Sequence, residues 1–344
     1  MRAGLRSWRQ KIKQHRVTIL VVAFILVVAI ALIIVEVKSY GTGFAGKTLW
    51  DWLQLLVVPI ILAIGGFWLN QLQKSREERT TEQRAENERK VAEQHAQTEL
   101  DIAQDNQREA ALQEYINKMS ELLLDRNLRE STEDAEIRII ARVRTLTVLR
   151  GLDAFRKANV LQFLHETGLI DKNKRIIDLS GADFSGAHLF GTELSGADLS
   201  GTRLFGANLS MANLFDANLS AANLMMADLS DANLNGAKLT SAPLLKADLT
   251  RATLKGAKLS GATLLEANLS MTNLSTANLS GAHLKGAYLD QANLSGAYLK
   301  GAILSGAVLL EANLKGAIGI TNEELEKQAK SLKGATMPDG SKHP

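Results

Sequence analysis

The chain has no cysteine among its 344 residues, and this absence removes several classes of function at once. Without cysteine there is no disulfide bond, no cysteine-ligated zinc site and no thiol chemistry, which suits a reducing compartment. A strong excess of one charge is lacking too, since 40 Lys and Arg face 37 Asp and Glu. The resulting net charge of +3 implies no strong field toward nucleic acid, so no nucleic-acid partner is expected.

The motifs of common catalytic and cofactor sites are also missing. There is no P-loop, no GxSxG sequence and no glycine-rich dinucleotide fingerprint. The six histidines are scattered, and His188 and His283 lie too far apart along the repeats described below to share a metal ion. We therefore predict that the protein is not an enzyme and that it binds no cofactor and no metal.

A strict five-residue period runs from 177 to 316. Central residues at every fifth position from Leu179 to Leu314 define 28 blocks, because 28 × 5 = 140 residues without a gap. The central residue is Leu in 27 blocks, with Phe184 as the exception, and the residue two positions earlier is Ala in 24. A period this regular indicates a repeat architecture and takes precedence over local propensities.

The spacing within a block predicts its geometry. In an extended segment, positions i and i−2 point to one side and i−1 to the other, so Ala and Leu point inward together. The two remaining residues, commonly Ser or Thr and then Gly, suit a corner. Similar residues recur every 20 positions, which predicts four blocks per coil and, as 28 ÷ 4, seven coils. At about 4.8 Å per coil the rod would be roughly 34 Å long.

These blocks, of the form A(D/N)LxX, resemble the pentapeptide-repeat family. The resemblance implies a β-solenoid, namely a right-handed quadrilateral β-helix, over 177–320. It leaves the function open, because the family hosts several roles. Some members mimic DNA and bind gyrase, which requires a strongly negative rod. Residues 176–320 contain eight Asp and three Glu against seven Lys and two Arg, a net charge of 9 − 11 = −2, so this role is the less favoured alternative.

The N-terminal part predicts a membrane anchor. Residues 1–16 are basic, 17–37 and 49–71 are apolar enough for two transmembrane helices, and 38–48 form a short loop between them. A cleaved signal peptide is the competing interpretation of 17–37. The basic flanks place both termini in the cytoplasm, so the prediction is an integral protein of the cell (inner) membrane that contacts membrane lipid through both spans.

Helices are expected between the membrane and the rod. Residues 72–128 read as one long charged helix, whose second part carries a stripe of apolar residues from Leu112 to Leu123. Residues 131–170 read as a helical connector that caps the rod, starting near Ser131. Arg138, Arg142, Arg144 and Arg150 in this connector fit either ordinary surface charge or lipid headgroup binding. Residues 321–344 are predicted to form a C-terminal capping helix, from Asn322 to Lys333, and a tail.

The predicted function is that of a membrane-anchored scaffold displaying the β-helix for protein–protein interaction. The alternative is an oligomeric membrane channel or stress sensor with the β-helix as its cytoplasmic domain. The candidate interaction site is an apolar ridge at one corner of the rod, consisting of Phe205, Met225, Met226, Leu245 and Leu265. The ridge would contact either the Leu112–Leu123 helix of the same chain or another molecule, which is an unknown protein partner or a second copy.

Overall fold

A computed structural model describes residues 24–25, 27–28, 30–31 and 49–344, with side chains described from Val58 onward in the last range. The chain divides into two compact units, 1–96 and 97–344. The predicted basic N-terminus at 1–16, the loop at 38–48 and most of the predicted span at 17–37 lie outside the described residues.

The first element of the described range is a single helix, α1, from Leu49 to Leu124. It runs through both segments that were predicted to be helical, 49–71 and 72–128, and ends four residues earlier than predicted. No Pro or Gly follows Gly66 within the helix, and Glu, Gln, Ala and Arg propagate a helix well. After Leu124 the chain turns through Asn127, which has a positive φ of 52°. A short 3₁₀ turn, Leu128–Glu130, follows.

The structure does not support the predicted transmembrane hairpin. In the portion of the chain that the structure describes, no helix combines the length and the apolar character that crossing a membrane requires.

The repeat region is a solenoid whose successive coils pair in parallel. Residues 20 positions apart form the ladder, from Asp183 with Arg203 to Tyr298 with Ile318, which confirms four blocks per coil. The hydrogen bonds on each side of a coil involve three residues, since Ala182 accepts from the Arg203 N–H at 2.9 Å and the Phe184 N–H donates to the Arg203 carbonyl at 2.8 Å, on either side of Asp183. The second corner residue of each block then has a positive φ, as in Gly206 (60°) or Met226 (59°), and turns the chain.

Each block contributes the same pair of side chains to the interior. The central Leu residues and the Ala residues two positions earlier are almost all fully buried, as Leu229 and Ala227 illustrate. Three of the blocks have Thr at the Ala position; Thr192 is half-buried, and Thr202 and Thr272 are buried. Their hydroxyl groups donate to the carbonyls of Leu199 at 2.7 Å and Leu269 at 2.6 Å. Each buried threonine hydroxyl therefore has a hydrogen-bond partner inside the core.

Two helices precede the repeats: α2, Glu136–Leu149, and α3, Ala154–Glu166. Helix α2 begins five residues after the Ser131 at which a start was predicted. The hydroxyl of Ser131 instead donates to the carbonyl of Leu128 at 2.6 Å, so it does not cap the helix. Helix α3 has Asp153 as its N-cap, whose side chain accepts from the backbone N–H groups of Phe155 and Arg156.

These two helices cover the open end of the first coil. In later coils, each first corner residue accepts a backbone hydrogen bond from the coil before it, as Met225 accepts from Gly206 at 3.0 Å. The first coil has no such neighbour, and cationic or histidine side chains take its place. Arg142 donates to the carbonyl of Ser180, Lys157 contacts that of Ser185, and His165 that of Ser195. Of the four connector arginines, Arg142 therefore has a structural role at the first coil. Arg144 and Arg150 are exposed.

The apolar stripe of α1 packs against the same two helices. Leu112, Tyr115 and Met119 are buried, and the Tyr115 hydroxyl lies 2.9 Å from Oγ1 of Thr145 on α2. The Tyr115 ring also contacts Phe163 of α3 edge-on, with centroids 6.3 Å apart. The C-terminal half of α1 is thus part of the cap rather than a free stalk.

A cluster of ion pairs around Arg156 fastens α1 to α3. Arg156 pairs with Asp105 at 2.7 Å, with Glu109 at 3.0 Å and with Asp153. Its hydrogen bond lowers the pKa of Asp105, and hydrogen bonds from Gln113 and Arg156 lower that of Glu109. Burial raises the pKa of Asp153, but its hydrogen bonds with Arg156 outweigh that effect and the net shift is downward.

At the far end the solenoid continues beyond the predicted boundary. Helix α4 covers only Asn322–Gln328, with a capping box between Thr321 and Glu324. The chain then returns to the ladder, where Ser331 pairs with Val308 and Thr336 with Asn313. Leu332 and Met337 are buried in the interior. The assignment of 321–344 to a capping helix and tail was therefore wrong, because Leu332 and Met337 keep the five-residue spacing and find the core of the last coil.

A first prediction concerns the one-Leu-wide core. Leu229→Ala should lower the free energy of unfolding by about 2–5 kcal/mol, because the neighbouring coils cannot collapse into the cavity. Ser230→Ala should cost about 0.5–1.5 kcal/mol, since its hydroxyl donates to Oδ1 of Asp228 at 2.6 Å. Lys255→Ala, at an exposed corner, should lie within about 0.5 kcal/mol of wild type. Denaturant unfolding followed by circular dichroism would measure all three, and equal losses would contradict the assignment of inward and outward positions.

A second prediction concerns pH. The three carboxylates around Arg156 have lowered pKa values when folded, so their stabilisation is complete above the ordinary values of 3.8 for Asp and 4.5 for Glu. It is lost as the pH falls through the lowered folded values. Arg156→Met should reduce the melting temperature at pH 7, and its difference from wild type should shrink below about pH 3.8. Arg126→Met, at an exposed position, is the control. A pH-independent difference for Arg156→Met would contradict the electrostatic origin.

Candidate interaction surface

The predicted ridge lies along one corner of the rod. Phe205, Met225, Leu245 and Leu265 are each the first corner residue of a block, in four successive coils. Backbone hydrogen bonds of 2.9–3.0 Å link these corners, from Gly206 to Met225, Met226 to Leu245 and Lys246 to Leu265. At about 4.8 Å per coil the ridge is roughly 14 Å long.

The ridge side chains are accessible to different degrees. Phe205 is 44% exposed and Met226 is 57% exposed, whereas Met225, Leu245 and Leu265 are half-buried. The half-buried residues pack along the corner and present a continuous edge, and Met226 extends it sideways. The structure therefore brings all five predicted site residues together on one surface.

The apolar residues keep the corner geometry of the polar ones. In many coils the residue before the central Leu is Asp or Asn, and its side chain accepts the backbone N–H of the first corner residue. Met225 preserves this bond, because its N–H donates to Oδ1 of Asn223 at 3.1 Å. Ser residues at this corner position add a hydroxyl hydrogen bond to the same oxygen, as Ser230 does with Asp228. The other three ridge residues follow blocks with Arg, Pro or Thr at that position, and their turns rest on backbone hydrogen bonds such as that from the Ala247 N–H to the Leu244 carbonyl at 3.1 Å. The apolar residues thus change the surface and leave the turn intact.

The ridge has definite ends. In the coil before Phe205 the same corner holds Ser185, whose carbonyl lies against Lys157 of the cap. In the coil after Leu265 it holds the exposed Lys285. The apolar surface is therefore confined to four coils and is not a general property of this side of the rod.

The hypothesis of an internal contact required the apolar stripe of α1 to lie on the ridge. That stripe is instead buried against α2 and α3, through Tyr115, Thr145 and Phe163. The contact that the stripe needed is thus provided by the cap, and among the described residues no α1 segment covers the ridge.

A surface of mixed charge lies beside the ridge. A shallow cavity of about 380 Å³ borders the corner at Leu245 and Leu265, and it is lined by Lys246, Ala247, Asp248, Glu266, Asn268, Ser270 and Tyr288. Lys246 and Glu266 face each other at 3.5 Å. In the following coil, Oδ1 of Asp290 is buried and has no hydrogen-bond partner among the described residues. Lys246 and the exposed Lys285 of the next coil balance Asp248 and Glu266, so the described surroundings of the ridge carry no excess of one charge.

Other exposed apolar residues were only partly anticipated. Met211 and Met271 were not predicted as surface sites, and they are 59% and 54% exposed at second corner positions. A non-glycine residue at a corner that favours glycine is the signal that could have identified them. Within the described residues, no group of His, Asp and Glu side chains is arranged to hold a metal ion.

Comparison with known proteins places the repeats in a family. A profile described as "Pentapeptide repeats (8 copies)" matches residues 177–206, 212–244, 244–281 and 282–318. A search of curated proteins finds no match.

Solved structures similar to this chain include two that are described as pentapeptide repeat proteins, HetL and Rfr23. HetL from the cyanobacterium Nostoc sp. strain PCC 7120, described as involved in heterocyst differentiation regulation, shares 36% identity over 48% of this chain and 86% of its own, with a TM-score of 0.19. Rfr23 from the cyanobacterium Cyanothece 51142 shares 30% identity over 35% of this chain and 85% of its own, with a TM-score of 0.22. Trypsin-treated QnrB1, described as a plasmid-mediated fluoroquinolone resistance protein, shares 27% identity over 42% and 72%, with a TM-score of 0.32.

The profile, the unbroken run of blocks and the 20-residue ladder agree with one another. They account for the right-handed quadrilateral β-helix that the resemblance implied. Through residues 177–318, this chain belongs to the pentapeptide-repeat family.

Proposed function

We propose that the protein is a non-enzymatic scaffold that presents its β-helix for protein–protein interaction through the apolar ridge. The observation that carries the proposal is a line of four apolar corner residues that the chain's own amphipathic helix leaves accessible. Ser or Thr occupies the same block position in 15 of 28 blocks, so apolar residues there are not a default of the repeat. Aligned apolar side chains on a surface favour a contact with another molecule.

Rigid presentation supports this role. The ridge residues belong to a hydrogen-bonded backbone ladder that fixes the distance between coils. A partner therefore binds a surface whose side chains lose little conformational freedom on binding. Ridge length also limits the partner, since about 14 Å accommodates two to three turns of a helix. An extended apolar segment or one helix face is therefore a better fit than a broad globular surface.

A membrane anchor is the second part of the proposal. Residues 17–37 and 49–71 would form two spans in the cell (inner) membrane. Both termini would lie in the cytoplasm, because the uncharged runs are flanked by basic residues. Such an anchor would confine the rod near the membrane and raise its local concentration for a partner located there.

The ridge is tested by charge insertion. Met225→Lys combined with Leu245→Lys in the full chain should abolish crosslinking to the partner in intact cells, because two ammonium groups would have to be desolvated in an apolar contact. The rod should remain folded, since lysine occupies the same block position at Lys255 and Lys285. The matched control is Asn235→Lys with Ser275→Lys, at the opposite corner of the same rod. Unchanged crosslinking of the ridge variant would remove the ridge as the binding site.

The proposed topology is tested with single cysteines, which is direct because the chain has none. Gly41→Cys should react with an impermeant maleimide in intact cells, and Lys333→Cys, exposed near the end of the rod, should react only after lysis. Labelling of Lys333→Cys in intact cells would contradict a cytoplasmic β-helix.

A further inference from the structure

One side of the rod carries lysines that no carboxylate of the described chain pairs with. A ladder of residues 20 positions apart runs along this side and consists of Asn218, Lys238, Lys258, Asn278, Tyr298 and Ile318. Lys255 and Lys300 lie at the two corners that border it, and all four lysines are exposed. The ion pairs formed among the described residues include none of the four. We call the ladder and these two corner lysines the basic face.

The carboxylates of the same coils all lie on the opposite side of the rod. Residues ten positions apart lie on opposite sides of a four-sided coil, so Lys238 lies opposite Asp228 and Lys258 opposite Asp248. Every carboxylate between 217 and 316 belongs to that opposite side or to its two corners, namely Asp228, Asp231, Asp248, Glu266, Asp290 and Glu311. That side has basic residues too and is mixed, whereas the basic face carries one sign only. The small net charge of the rod therefore conceals a separation of charge across it.

Two of the lysines are direct neighbours. Lys238 and Lys258 pair in the ladder, so their backbones are about 4.8 Å apart. Like charges that face each other across a ladder destabilise it. Elsewhere the rod combines opposite charges at the same spacing, as where Arg251 lies 2.6 Å from Asp231. Stability of the coils therefore does not explain the stacked lysines.

Other like-charged neighbours are compensated within the chain. Asp228 and Asp248 also pair in a ladder, but each accepts hydrogen bonds from the N–H and the hydroxyl group of its own corner residue. Closer to the cap, Asp178 and Asp198 lie on the same side as the lysines, and both pair with Arg175, at 3.5 and 3.3 Å. The stacked lysines have no such partner among the described residues, which leaves them available to an external anion.

Exposed apolar side chains continue the basic face toward the end of the rod. Tyr298 is 47% exposed and Ile318 50%, and they follow Asn278 in the ladder. Helix α4, which contains three glutamates, follows next and leads away from this side, since Gln328 at its end accepts from the Leu304 N–H at 2.8 Å on the adjoining side. The face thus combines lysines, a tyrosine and an isoleucine on one rigid plane about 24 Å long.

We propose that the basic face binds the surface of an anionic lipid membrane, so that the rod lies on its side against the bilayer. An anionic leaflet attracts lysines through its surface potential, and tyrosine favours the level of the headgroups. Ile318 adds an apolar contact at the boundary between headgroups and acyl chains. The separation of charge orients the rod, because the anionic surface repels the carboxylates on the opposite side.

A planar partner fits this face better than a linear one. A nucleic-acid backbone would use the lysines and gain little from Ile318. An acidic peptide would favour a groove, and the shallow cavity described above lies beside Asp248, on the opposite side. The inference goes beyond the proposed function, because the face can bind lipid whether or not the ridge binds a protein. It also orients the ridge, whose corner borders the side opposite the basic face and therefore faces away from the bilayer.

Single cysteines test the proposal in the full-length chain, which has none of its own. Asn278→Cys places a fluorescent maleimide on the basic face, and Asn268→Cys places it on the opposite side. The two positions are matched, because each asparagine accepts the N–H of its own corner residue, at 3.0 Å for Ser280 and 3.2 Å for Ser270. The chain is combined with vesicles in detergent, which is then removed, and acrylamide quenching of each probe is measured.

Replacing part of the phosphatidylcholine in the vesicles by phosphatidylglycerol should lower quenching of the 278 probe at least about threefold and leave the 268 probe unchanged. Added salt should reverse the protection, because it screens exposed charges. Equal quenching of the two probes would overturn the proposal. So would protection of the 278 probe that is as strong in pure phosphatidylcholine.

Two pairs of lysines separate the basic face from net charge. Lys238→Gln with Lys258→Gln should lower the ratio of protected to unprotected chains by about tenfold or more, because two attractive charges are lost. Lys246→Gln with Lys285→Gln makes the same change in net charge on the opposite side and should leave the ratio unchanged. Equal effects of the two pairs would contradict a specific face. Far-ultraviolet circular dichroism confirms that each variant is folded.

The remaining arms identify the class of partner. Ile318→Ser should weaken the protection, whereas Ile303→Ser, at a position 42% exposed on the adjoining side, should leave it unchanged. Equal effects of the two isoleucine changes would count against a lipid contact through Ile318. Protection of the 278 probe by a single-stranded oligonucleotide or by polyglutamate, with none by phosphatidylglycerol vesicles, would assign the face to a different partner and overturn the inference.

Discussion

The whole repeat region depends on one constraint, which is that every fifth side chain must fill the same narrow interior. A coil of 20 residues has room for four large side chains and four small ones, so Leu and Ala alternate around it and stack on the same pair in the next coil. Burial of these side chains supplies the favourable free energy, at about 25 cal/mol per Å² of apolar surface. The ladder of hydrogen bonds then fixes the distance between coils and pairs the backbone groups that burial removes from water.

A stack of this kind creates a problem at each end, where one coil lacks a neighbour. The protein resolves it differently at the two ends. At the start, side chains of α2 and α3 donate to the exposed carbonyls, with Arg142 and Lys157 replacing backbone donors. At the finish, the chain itself substitutes for part of a coil: Gln328 at the end of α4 accepts from the N–H groups of Leu304 and Gly306, and Ser331 re-enters the ladder. Both solutions block the open strand edges through which solenoids would aggregate.

Because the interior uses only two positions of each block, the other three are free to serve as surface. Most of them carry Ser, Thr, Asn or Gly, which maintain the corners through local hydrogen bonds. Where four successive coils abandon this pattern, as at the ridge, stability of the fold does not explain the change. The ridge is a surface of this kind, and it belongs to a rigid rod whose cap is held in place by cationic side chains such as Arg142 and Lys157.

The sequence by itself determined the solenoid, the four-block coil, the inward Leu and Ala, and the corner on which Phe205 to Leu265 lie. Each of these follows from a local period that repeats without a gap, so one block predicts the next. Only the tertiary structure decided where Arg142 donates, what the Leu112–Leu123 face packs against, and that Leu332 and Met337 rejoin the core after α4. Those contacts join segments that are far apart in sequence. They depend on which backbone groups remain unpaired after the coils stack. Periodicity carries no information about that choice, because the unpaired groups exist only at the two ends where the repeat stops.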